Sequence, residues 1–296
     1  MLKRTLFFSN PYKLNLQNNQ LIATPEADGD IVSVPIEDIG FVILENMRLS
    51  LSMSLIEALM SNNAAIVFCN SKHHPQSMLL NLDGNNTQNE TIRQQIEAGI
   101  PLKKNLWKQT VEAKITNQAY LLKKLGIKHN TVLSFAKDVK SGDPENREGA
   151  AAREYWGKLF GKDFNRERFG EYPNDLLNYG YIILRAAVAR ALVGSGLMPA
   201  LGIHHSNKYN SYCLADDIME PYRPFVDARV YNIYKNNPED QFLNKETKAE
   251  LLKVLADDVF IDKNRRPLMI ALSNTTASLV KCFFGETKKI KYPLLQ

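Results

Sequence analysis

The chain has 296 residues, of which 44% are hydrophobic and 23% are charged. A chain of this length and hydrophobic content can bury one large core or two moderate ones. Its 37 Lys and Arg residues exceed its 32 Asp and Glu residues, giving a formal charge of +5 and a pI near 8.9. This excess is compatible with nucleic-acid binding but is too small for a polybasic tail protein.

Several classes of protein are disfavoured by what the sequence lacks. The three cysteines (Cys69, Cys213 and Cys282) are far apart and odd in number. They predict neither a disulfide framework nor a Cys-x-x-Cys zinc site, so we expect a reducing cytoplasm. Residues 1–8 hold too short an apolar run for a signal peptide, and the apolar stretch 181–203 carries two arginines, so no membrane span is expected. The absence of a P-loop or dinucleotide fingerprint disfavours a nucleotide cofactor.

The first 82 residues have the pattern of strands and turns. Short runs of alternating or apolar residues are separated by Asn, Pro and Gly, which is typical of strands joined by tight turns. These runs cover residues 2–8, 12–16, 21–24, 31–34, 41–44 and 64–69. Residues 54–62 are the exception, since their apolar side chains are spaced for one face of a helix. We therefore predict a small β-rich domain, residues 1–82, containing one helix.

The pattern changes after a polar, turn-rich linker at residues 83–90. Trp107, Val111, Ile115 and Ala119 then recur every four residues, and residues 174–193 form another long apolar run that ends at Gly-Ser-Gly. The predicted fold class is α+β, with a larger all-α catalytic domain at 91–286 following the β-rich domain. Residues 287–296 are interpreted as a loose basic tail with an apolar end.

Residues 202–220 combine an imidazole with a group of carboxylates. The segment begins Gly-Ile-His-His at 202–205 and continues to Asp216, Asp217 and Glu220. Asp217 and Glu220 are three apart, so they share one face if this segment is helical. Carboxylates with one imidazole suit Mg²⁺ or Mn²⁺ better than zinc, and such ions serve phosphodiester chemistry. The alternative is a solvated helix face without a ligand.

A second acidic residue stands among small residues. Glu148 is followed by Gly-Ala-Ala-Ala, and these small residues allow another element to approach the backbone closely. Glu148 is therefore predicted to open a tightly packed helix and to point into a cleft. The alternative is an ordinary helix N-terminus, where the macrodipole favours Glu.

Taken together, the motifs resemble one family. Their order is Glu-Gly-x-Ala-Ala-Arg from Glu148, Gly-x-x-His from Gly202, and Ala-x-Asp-x-Met-Glu-x-x-Arg-Pro from Ala215. This order resembles the CRISPR-associated spacer integrase and endonuclease, the DNA-inserting subunit of bacterial adaptive immunity, in its type II form. The likeness spans the whole chain and also includes the runs 114–118, 177–181 and 243–245.

The resemblance implies a set of site residues. Glu148, His205 and Glu220 match the family's metal ligands for Mg²⁺ or Mn²⁺, and Asp217 matches an acidic position beside the metal. All four are expected to serve catalysis. His204 departs from the family pattern, where that position is commonly apolar. Between the two histidines we favour His205, the fourth residue of the motif that starts at Gly202.

The resemblance also implies the reaction and the partners. The 3′-hydroxyl of a short double-stranded DNA would attack a phosphodiester at a CRISPR repeat, inserting a new spacer by transesterification without ATP. The family works as two homodimers bridged by a small CRISPR adaptation subunit, a heterohexamer. The β-rich domain would form the homodimer. No membrane partner is expected.

Basic residues that interleave with aromatic ones are candidates for DNA binding. Arg223 lies one turn beyond Glu220 and is expected either to hold that carboxylate or to clamp a phosphate. For the rest, a solvated helix face is the alternative. The other candidates are Arg147, Arg153, Lys158, Arg166 and Arg168.

Two other functions remain compatible with the same residues. A structure-selective, metal-dependent nuclease acting on branched DNA would use water as the nucleophile in the same site. A non-catalytic DNA-binding scaffold would have acidic residues with a purely structural role. Metal-dependent joining or cleavage of DNA separates these three hypotheses.

Overall fold

The structure, a computed structural model, describes residues 3–81, 83–168, 170–236 and 242–295. The chain divides into two compact units, residues 1–86 and 87–296. The first unit is built mainly of strands and the second mainly of helices. This order confirms the predicted α+β fold class.

The first unit contains two four-stranded sheets. Its elements are β1 (Arg4–Phe8), β2 (Tyr12–Gln17), β3 (Gln20–Pro25), β4 (Val32–Pro35), β5 (Ile39–Leu44), β6 (Ser50–Leu51), α1 (Met53–Ser61), β7 (Ala65–Cys69) and β8 (Pro75–Leu79). The strand orders are β1-β5-β7-β8, with only β8 antiparallel to its neighbour, and β4-β3-β2-β6. Every residue of β5 is buried, as expected for a central parallel strand that is covered on both faces.

Both sheets and α1 contribute to one hydrophobic core. Leu14, Val42 and Leu59 are among its fully buried members. Ser52, the residue before α1, accepts a hydrogen bond from the backbone N–H of Leu55 and thereby caps the start of the helix. Leu55 and Leu59 of this helix are buried. Strands β6 and β8 had no alternating run in the sequence and were not predicted.

The second unit consists mostly of helices. They are α2 (Gln88–Glu97), α3 (Ile100–Lys124), α4 (Asn130–Lys137), α5 (Arg147–Leu159), α6 (Asn174–Gly194), α7 (Cys213–Met219), α8 (Arg223–Asn236), α9 (Lys245–Leu252) and α10 (Leu268–Phe283). The column of residues that predicted α3, from Trp107 to Ala119, is at most 1% exposed. This helix therefore runs through the core of its unit.

Helix α6 is the other long element of this core. It is long and apolar enough to cross a membrane on length and composition alone, but 78% of its most apolar window is buried inside the protein. Gly180 lets it pack closely on α8, because a Cβ atom there would lie 2.4 Å from a methyl carbon of Val226. Helix α6 is therefore buried as a core helix of its unit.

The prediction of an all-α second domain was too simple. Strands β9 (Asp258–Ile261) and β10 (Asn264–Pro267) form an antiparallel hairpin between α9 and α10. Its turn residues, Asp262 and Lys263, both have positive φ angles, 52° and 65°. A two-residue hairpin turn requires this conformation, but Asp-Lys is a weaker signal than Asn-Gly. The hairpin was therefore not predicted from the sequence.

The prediction of a loose tail at 287–296 was also wrong for the part that the structure describes. Ile290 and Leu295 are only 8% and 5% exposed. The tail returns to α3, where the Ile290 N–H donates to Gln109 and the Tyr292 hydroxyl contacts Thr110 at 2.8 Å. The apolar end of this segment is a packing surface, which its basic charge concealed in the sequence.

Asn117 joins the tail to the middle of the second unit. Its side-chain NH₂ donates to the carbonyl oxygens of Pro221 and Pro293 at 2.8 and 3.0 Å. Its carbonyl oxygen accepts the N–H of Leu295 at 3.0 Å. The side chain is fully buried. One amide on α3 thus fixes both the tail and the turn after α7.

We predict that Asn117→Ala lowers the free energy of unfolding by about 3 kcal/mol, because three buried hydrogen bonds are lost at about 1 kcal/mol each. Chemical denaturation would measure this loss. Asn105→Ala, an exposed position on the same helix, is the control and should change the free energy of unfolding by less than about 0.5 kcal/mol. Equal stabilities for the two variants would contradict this role of Asn117.

Candidate active site

A buried lysine bridges two of the predicted ligands. The Lys114 Nζ atom lies 2.6 Å from Glu148 Oε1 and 2.6 Å from Glu220 Oε2. The three side chains come from α3, from α5 and from the turn after α7. Their exposed fractions are 11% for Lys114, 24% for Glu148 and 6% for Glu220. Glu148 and Glu220, which are 72 positions apart, therefore meet around one cation.

Glu148 reaches this place because the start of α5 is firmly capped. The Asp143 carboxylate accepts the N–H groups of Arg147 and Glu148 at 2.8 and 3.0 Å. Asn146, in the left-handed conformation, accepts the N–H of Gly149. These contacts satisfy the first free N–H groups of the helix. Glu148 thus lies at a helix N-terminus, as the alternative interpretation held, and it also faces Lys114.

Glu220 is positioned by a short 3-10 turn, Glu220–Tyr222, between α7 and α8. The Arg223 guanidinium forms an ion pair with its Oε1 atom at 2.9 Å. The Oε2 atom is close to Lys114, but the contact lacks the angles of a hydrogen bond, so this buried oxygen has no hydrogen-bond donor in the described part of the chain. An acceptor with unused lone pairs is suited to a further cation.

The protonation states of Lys114 and Glu220 depend on each other and on the neighbouring charges. Burial raises the pKa of Glu220, but Arg223 and Lys114 outweigh it and hold the pKa below its ordinary value. Burial lowers the pKa of Lys114, but the attraction of Glu220 and Glu148 raises it above its ordinary value. At neutral pH the group therefore contains an ammonium ion and the Glu220 carboxylate.

Asp217 organises the loop that carries the histidines. Its fully buried carboxylate accepts the backbone N–H groups of Ile203, His204 and His205 at 2.7, 3.0 and 3.2 Å. Its Oδ1 atom also lies 2.6 Å from Nδ1 of His205. Since the carboxylate already accepts three N–H groups, we assign Nδ1 as the donor. Nε2 is then the ring nitrogen that can bind an ion.

Gly202 is required at the base of this loop. A Cβ atom there would lie 2.2 Å from the carbonyl oxygen of His205 and 2.9 Å from Asp217 Oδ2. A contact of 2.2 Å with backbone cannot be relieved by a side-chain rotation. The glycine of the Gly-x-x-His motif therefore allows the loop to fold tightly over Asp217.

The two histidines have different surroundings. The His204 ring is stacked on Trp107, with ring centroids 4.1 Å apart and an interplanar angle of 2°. The His205 ring meets Trp107 edge-on and is held by Asp217. Its pKa is raised by the Asp217 hydrogen bond, against an opposing effect of burial. This geometry favours His205 as the candidate ligand, because a hydrogen bond fixes its ring.

The predicted ligands do not form a closed cluster. Across the described residues, no three His, Cys, Asp or Glu side chains are close enough together to hold a metal ion. Lys114 lies between Glu148 and Glu220, and Asp217 is directed to the histidine loop rather than to this pair. Two carboxylates, one of them with an unused oxygen, and an available Nε2 atom still fit a hard divalent ion chemically.

Two of the predicted DNA-binding arginines are half-buried and are engaged in contacts within the protein. Arg166 donates to the backbone of Glu167 and to Asn174 and Asn178, at 2.6–3.1 Å. Its guanidinium also lies over the Tyr181 ring. Arg223 lies over the same ring, 4.6 Å from its centroid, while it holds Glu220. Arg223 thus follows the first of its two expected roles, the support of the carboxylate.

The other basic candidates make fewer contacts with the body of the protein or are exposed. Arg147 and Lys158 pair with neighbouring glutamates at 2.5 and 3.1 Å, while Arg153 and Arg168 are exposed. Arg147 also borders a cleft of about 680 Å³ beside the start of α5. Further basic residues lining this cleft are Lys108, Lys137 and Lys140. Spacing did not reveal them as one group, because they come from α3, α4 and the following loop.

Sequence reasoning missed two buried elements of the site. Lys114 was noticed only as the first residue of a run that resembles the family. Asp227 was not noticed, although its carboxylate accepts the hydroxyls of Tyr155 and Tyr181 at 2.8 and 2.5 Å. Burial raises the pKa of Asp227 to about 6. For Lys114 and Asp227, the sequence offered one indication, an ionisable residue at a position that the helical period places on the buried face.

We predict that Asp217→Asn lowers the pKa of His205, because it removes the hydrogen bond that raises it. NMR titration of the histidine ring signals in the metal-free protein would show the change. Asp138→Asn, at an exposed position, is the control and should leave the His205 titration as it is. An unchanged His205 pKa in Asp217→Asn would contradict the assigned contact.

The raised pKa of His205 determines the direction in which pH changes the stability of the protein. Because the folded-state pKa of His205 is raised, its stabilising contribution is complete below the unfolded-state value and is lost as pH rises through the folded-state value. Asp217→Asn should reduce this part of the pH dependence.

Comparison with known proteins identifies the family. The family profile described as "CRISPR associated protein Cas1" matches residues 6–263. A CRISPR-associated endonuclease Cas1 from Neisseria meningitidis serogroup C is 34% identical over 277 residues, which cover 93% of this chain and 90% of the relative.

Solved structures share the fold. A casposase bound to an integration product superposes with a TM-score of 0.80 at 20% identity, covering 98% of this chain and 92% of the other. A chain of a Cas6-RT-Cas1–Cas2 complex gives a TM-score of 0.74 at 18% identity, covering 98% of this chain and 36% of the other. At these identities the two structures establish the fold alone. The profile and the Neisseria relative establish more, and the chain belongs to the Cas1 family, the spacer integrases and endonucleases of CRISPR adaptation.

Proposed function

We propose that Glu148, His205 and Glu220 bind one Mg²⁺ or Mn²⁺ ion, and that the protein uses this site to insert short DNA fragments into a CRISPR array. The Cas1 family is generally metal-dependent. The observation that carries the proposal is the meeting of two carboxylates, the half-buried Glu148 and the buried Glu220, around a single cationic group. A bound divalent ion would supply Lewis-acid stabilisation of the charge that develops on the phosphate.

The surrounding residues prepare the ligands for this role. Arg223 pairs with Oε1 of Glu220, so that Oε2 faces the gap where the Lys114 ammonium lies. Asp217 holds Nδ1 of His205 and leaves Nε2 available, so we assign it a positioning role. Glu220 and His205 are therefore each held through one atom and face the proposed ion through another. Such fixed geometry reduces the reorganisation needed during the reaction.

The proposed reaction is a direct transesterification. The 3′-hydroxyl oxygen of the incoming strand forms a new bond to phosphorus, and the existing bond from phosphorus to a 3′-oxygen of the array breaks. The attacking hydroxyl loses its proton and the leaving oxygen gains one. One phosphodiester is exchanged for another, so ATP is not consumed.

The cleft beside α5 is the proposed path for the DNA backbone. Lys108, Lys137, Lys140 and Arg147 line it, and Arg147 directly precedes Glu148 in the sequence. Phosphate contacts there would place a strand next to the carboxylates without reading its sequence. Arg153 and Arg168 are exposed, and we propose that they extend this contact.

We further propose the assembly that the family resemblance implies. The casposase was solved with an integration product, and another similar chain was solved in a complex that contains Cas2. For this chain we propose double-stranded DNA as substrate, a homodimer formed by the β-rich unit, and a small Cas2-like partner that bridges two dimers into a heterohexamer. We propose the cytoplasm as the location of this assembly, which the three widely spaced cysteines support because they suggest no disulfide framework.

A strand-transfer assay tests the proposed function. Labelled duplex DNA with free 3′-hydroxyls, a repeat-bearing plasmid and Mn²⁺ would be mixed with the protein and the small partner subunit. Glu148→Ala and Glu220→Ala should each reduce joined product by at least about 100-fold, since each removes a ligand. DNA affinity should change by less than about threefold, because neither residue is cationic.

The matched control is Glu154→Ala, which removes a partly exposed carboxylate from the same helix as Glu148. It should join DNA as the wild type does. Shortened strands without joined product would indicate the nuclease acting with water. Equal joining by Glu148→Ala and wild type would exclude the proposed site, and no metal-dependent chemistry at all would favour the scaffold.

We predict that Lys137→Ala weakens DNA binding by a similar factor on all sequences and reduces the salt dependence of log K by about one unit of slope. The reason is the loss of one phosphate contact in the cleft. Fluorescence anisotropy at several salt concentrations would measure it. Lys128→Ala, at an exposed position outside the cleft, is the control. Equal slopes for the two variants would exclude the cleft as the DNA path.

A further inference from the structure

The place between Glu148 and Glu220 is held by the ammonium group of Lys114. Nζ lies 2.6 Å from an oxygen of each carboxylate, and the Lys114 side chain is only 11% exposed. A divalent ion shared by these carboxylates would need Oε2 of Glu220, because Arg223 pairs with Oε1, and it would enter the same gap. Two cations cannot both occupy a gap of this size without strong repulsion.

We infer that Lys114 is an internal competitor of the divalent ion: its ammonium neutralises Glu148 and Glu220 when no ion is bound, and it must leave at least one of them when an ion binds. This inference rests on the proposed function, because it takes Glu148 and Glu220 as ligands. It assigns Lys114 a role in setting metal affinity rather than a role as a ligand, since an ammonium has no lone pair to donate.

The two contacts of Lys114 differ in quality. The contact with Glu148 is an aligned hydrogen bond, whereas the contact with Glu220 Oε2 is an ion pair without hydrogen-bond alignment. Glu148 is also the more exposed carboxylate, 24% against 6%. Lys114 can therefore release Glu220 without breaking an aligned hydrogen bond, and the open side of the gap lies towards Glu148.

Of the two cations that contact Glu220, Lys114 is the one that can move away from it. Arg223 is fixed by Glu220 Oε1 and by the face of Tyr181, and its planar guanidinium is held by both contacts. Lys114 carries a point charge on a flexible four-carbon stem, and its two ion pairs are both with the candidate ligands. When an ion replaces the ammonium, Arg223 keeps Glu220 in position.

A competitor and a purely structural lysine make opposite predictions. A structural lysine holds the two carboxylates in place, so its removal would disorder the site and weaken metal binding. A competitor also opposes metal binding, so its removal leaves two unneutralised carboxylates that attract the ion more strongly. The sign of the change in metal affinity separates the two roles.

The experiment is a Mn²⁺ titration followed by the EPR signal of free Mn²⁺, at fixed pH and salt. Lys114→Gln keeps a neutral hydrogen-bond donor between the carboxylates, and Lys114→Met keeps only the length of the side chain. Both should lower the Kd for Mn²⁺ by at least about tenfold. Lys123→Met, which removes an exposed lysine of the same helix, should leave the Kd within about twofold.

Thermal unfolding gives a second measurement on the same proteins. Without Mn²⁺ the Lys114 variants should have a lower Tm than wild type, because their buried carboxylates repel each other. Saturating Mn²⁺ should raise the Tm of the variants by more than it raises that of wild type. Unchanged or weaker Mn²⁺ binding by folded Lys114 variants would overturn the inference.

Glu148→Gln separates this inference from the metal site itself. Loss of Mn²⁺ binding in Glu148→Gln without tightening in the Lys114 variants would overturn the competitor alone. Mn²⁺ binding that is insensitive to Glu148→Gln would remove the metal site and the competitor together.

The wild-type protein decides the matter if the variants do not fold. Crystals soaked in Mn²⁺ should show an anomalous peak at Glu148 and Glu220, with Lys114 Nζ more than about 4 Å from at least one carboxylate, beyond ion-pair distance. An ion bound to both carboxylates while Nζ remains within hydrogen-bonding distance of both would overturn the inference.

Discussion

The site depends on one buried charge balance, in which the ammonium of Lys114 lies between the carboxylates of Glu148 and Glu220. Buried carboxylates that approach one another without a cation repel strongly, because the protein interior screens their charges poorly. Here the cation comes from α3, and the carboxylates come from the first turn of α5 and from the turn before α8. The electrostatic attraction therefore ties together three elements that are distant in the sequence. The same charge balance makes the gap selective, because only another cation can take the place of the lysine.

Helix α3 is the element from which the rest of the site is assembled. Trp107 supports the histidine loop through its stacking with His204, Lys114 gathers the two glutamates, and Asn117 fixes the turn after Glu220 together with the C-terminal segment. All three positions lie within eleven residues of one long, largely buried helix. The C-terminal return accordingly supports the backbone next to a catalytic candidate, Glu220, although it contributes no ionisable group to the site. This arrangement explains how residues with no role in chemistry hold the geometry of those that have one.

The sequence predicted the fold class, the order of the two units and most strands of the first one, because alternating and helical periods directly reflect which side chains are buried. It also marked Glu148, His205, Asp217 and Glu220, but mainly through resemblance, since spacing alone left the helix-surface alternatives open. It could not show that Asp217 and Glu220 serve different partners, because that depends on how the chain turns after α7. It could not assign Lys114 either, since a lysine in a helix is normally a surface residue and only the three-dimensional packing brings two carboxylates to it. The buried tail was missed for a similar reason, because its charge masked the few apolar side chains that dock.

The proposed metal site has one ion shared by the two glutamates and by a single imidazole, that of His205. Electron spin-echo envelope modulation of the Mn²⁺-bound protein detects nitrogen directly coordinated to the ion, and comparison of single variants assigns it. We expect one ¹⁴N coupling that disappears in His205→Ala and remains in His204→Ala, since the His204 ring is stacked on Trp107. A coupling that survives His205→Ala, or bound Mn²⁺ without any nitrogen ligand, would contradict the proposed metal site.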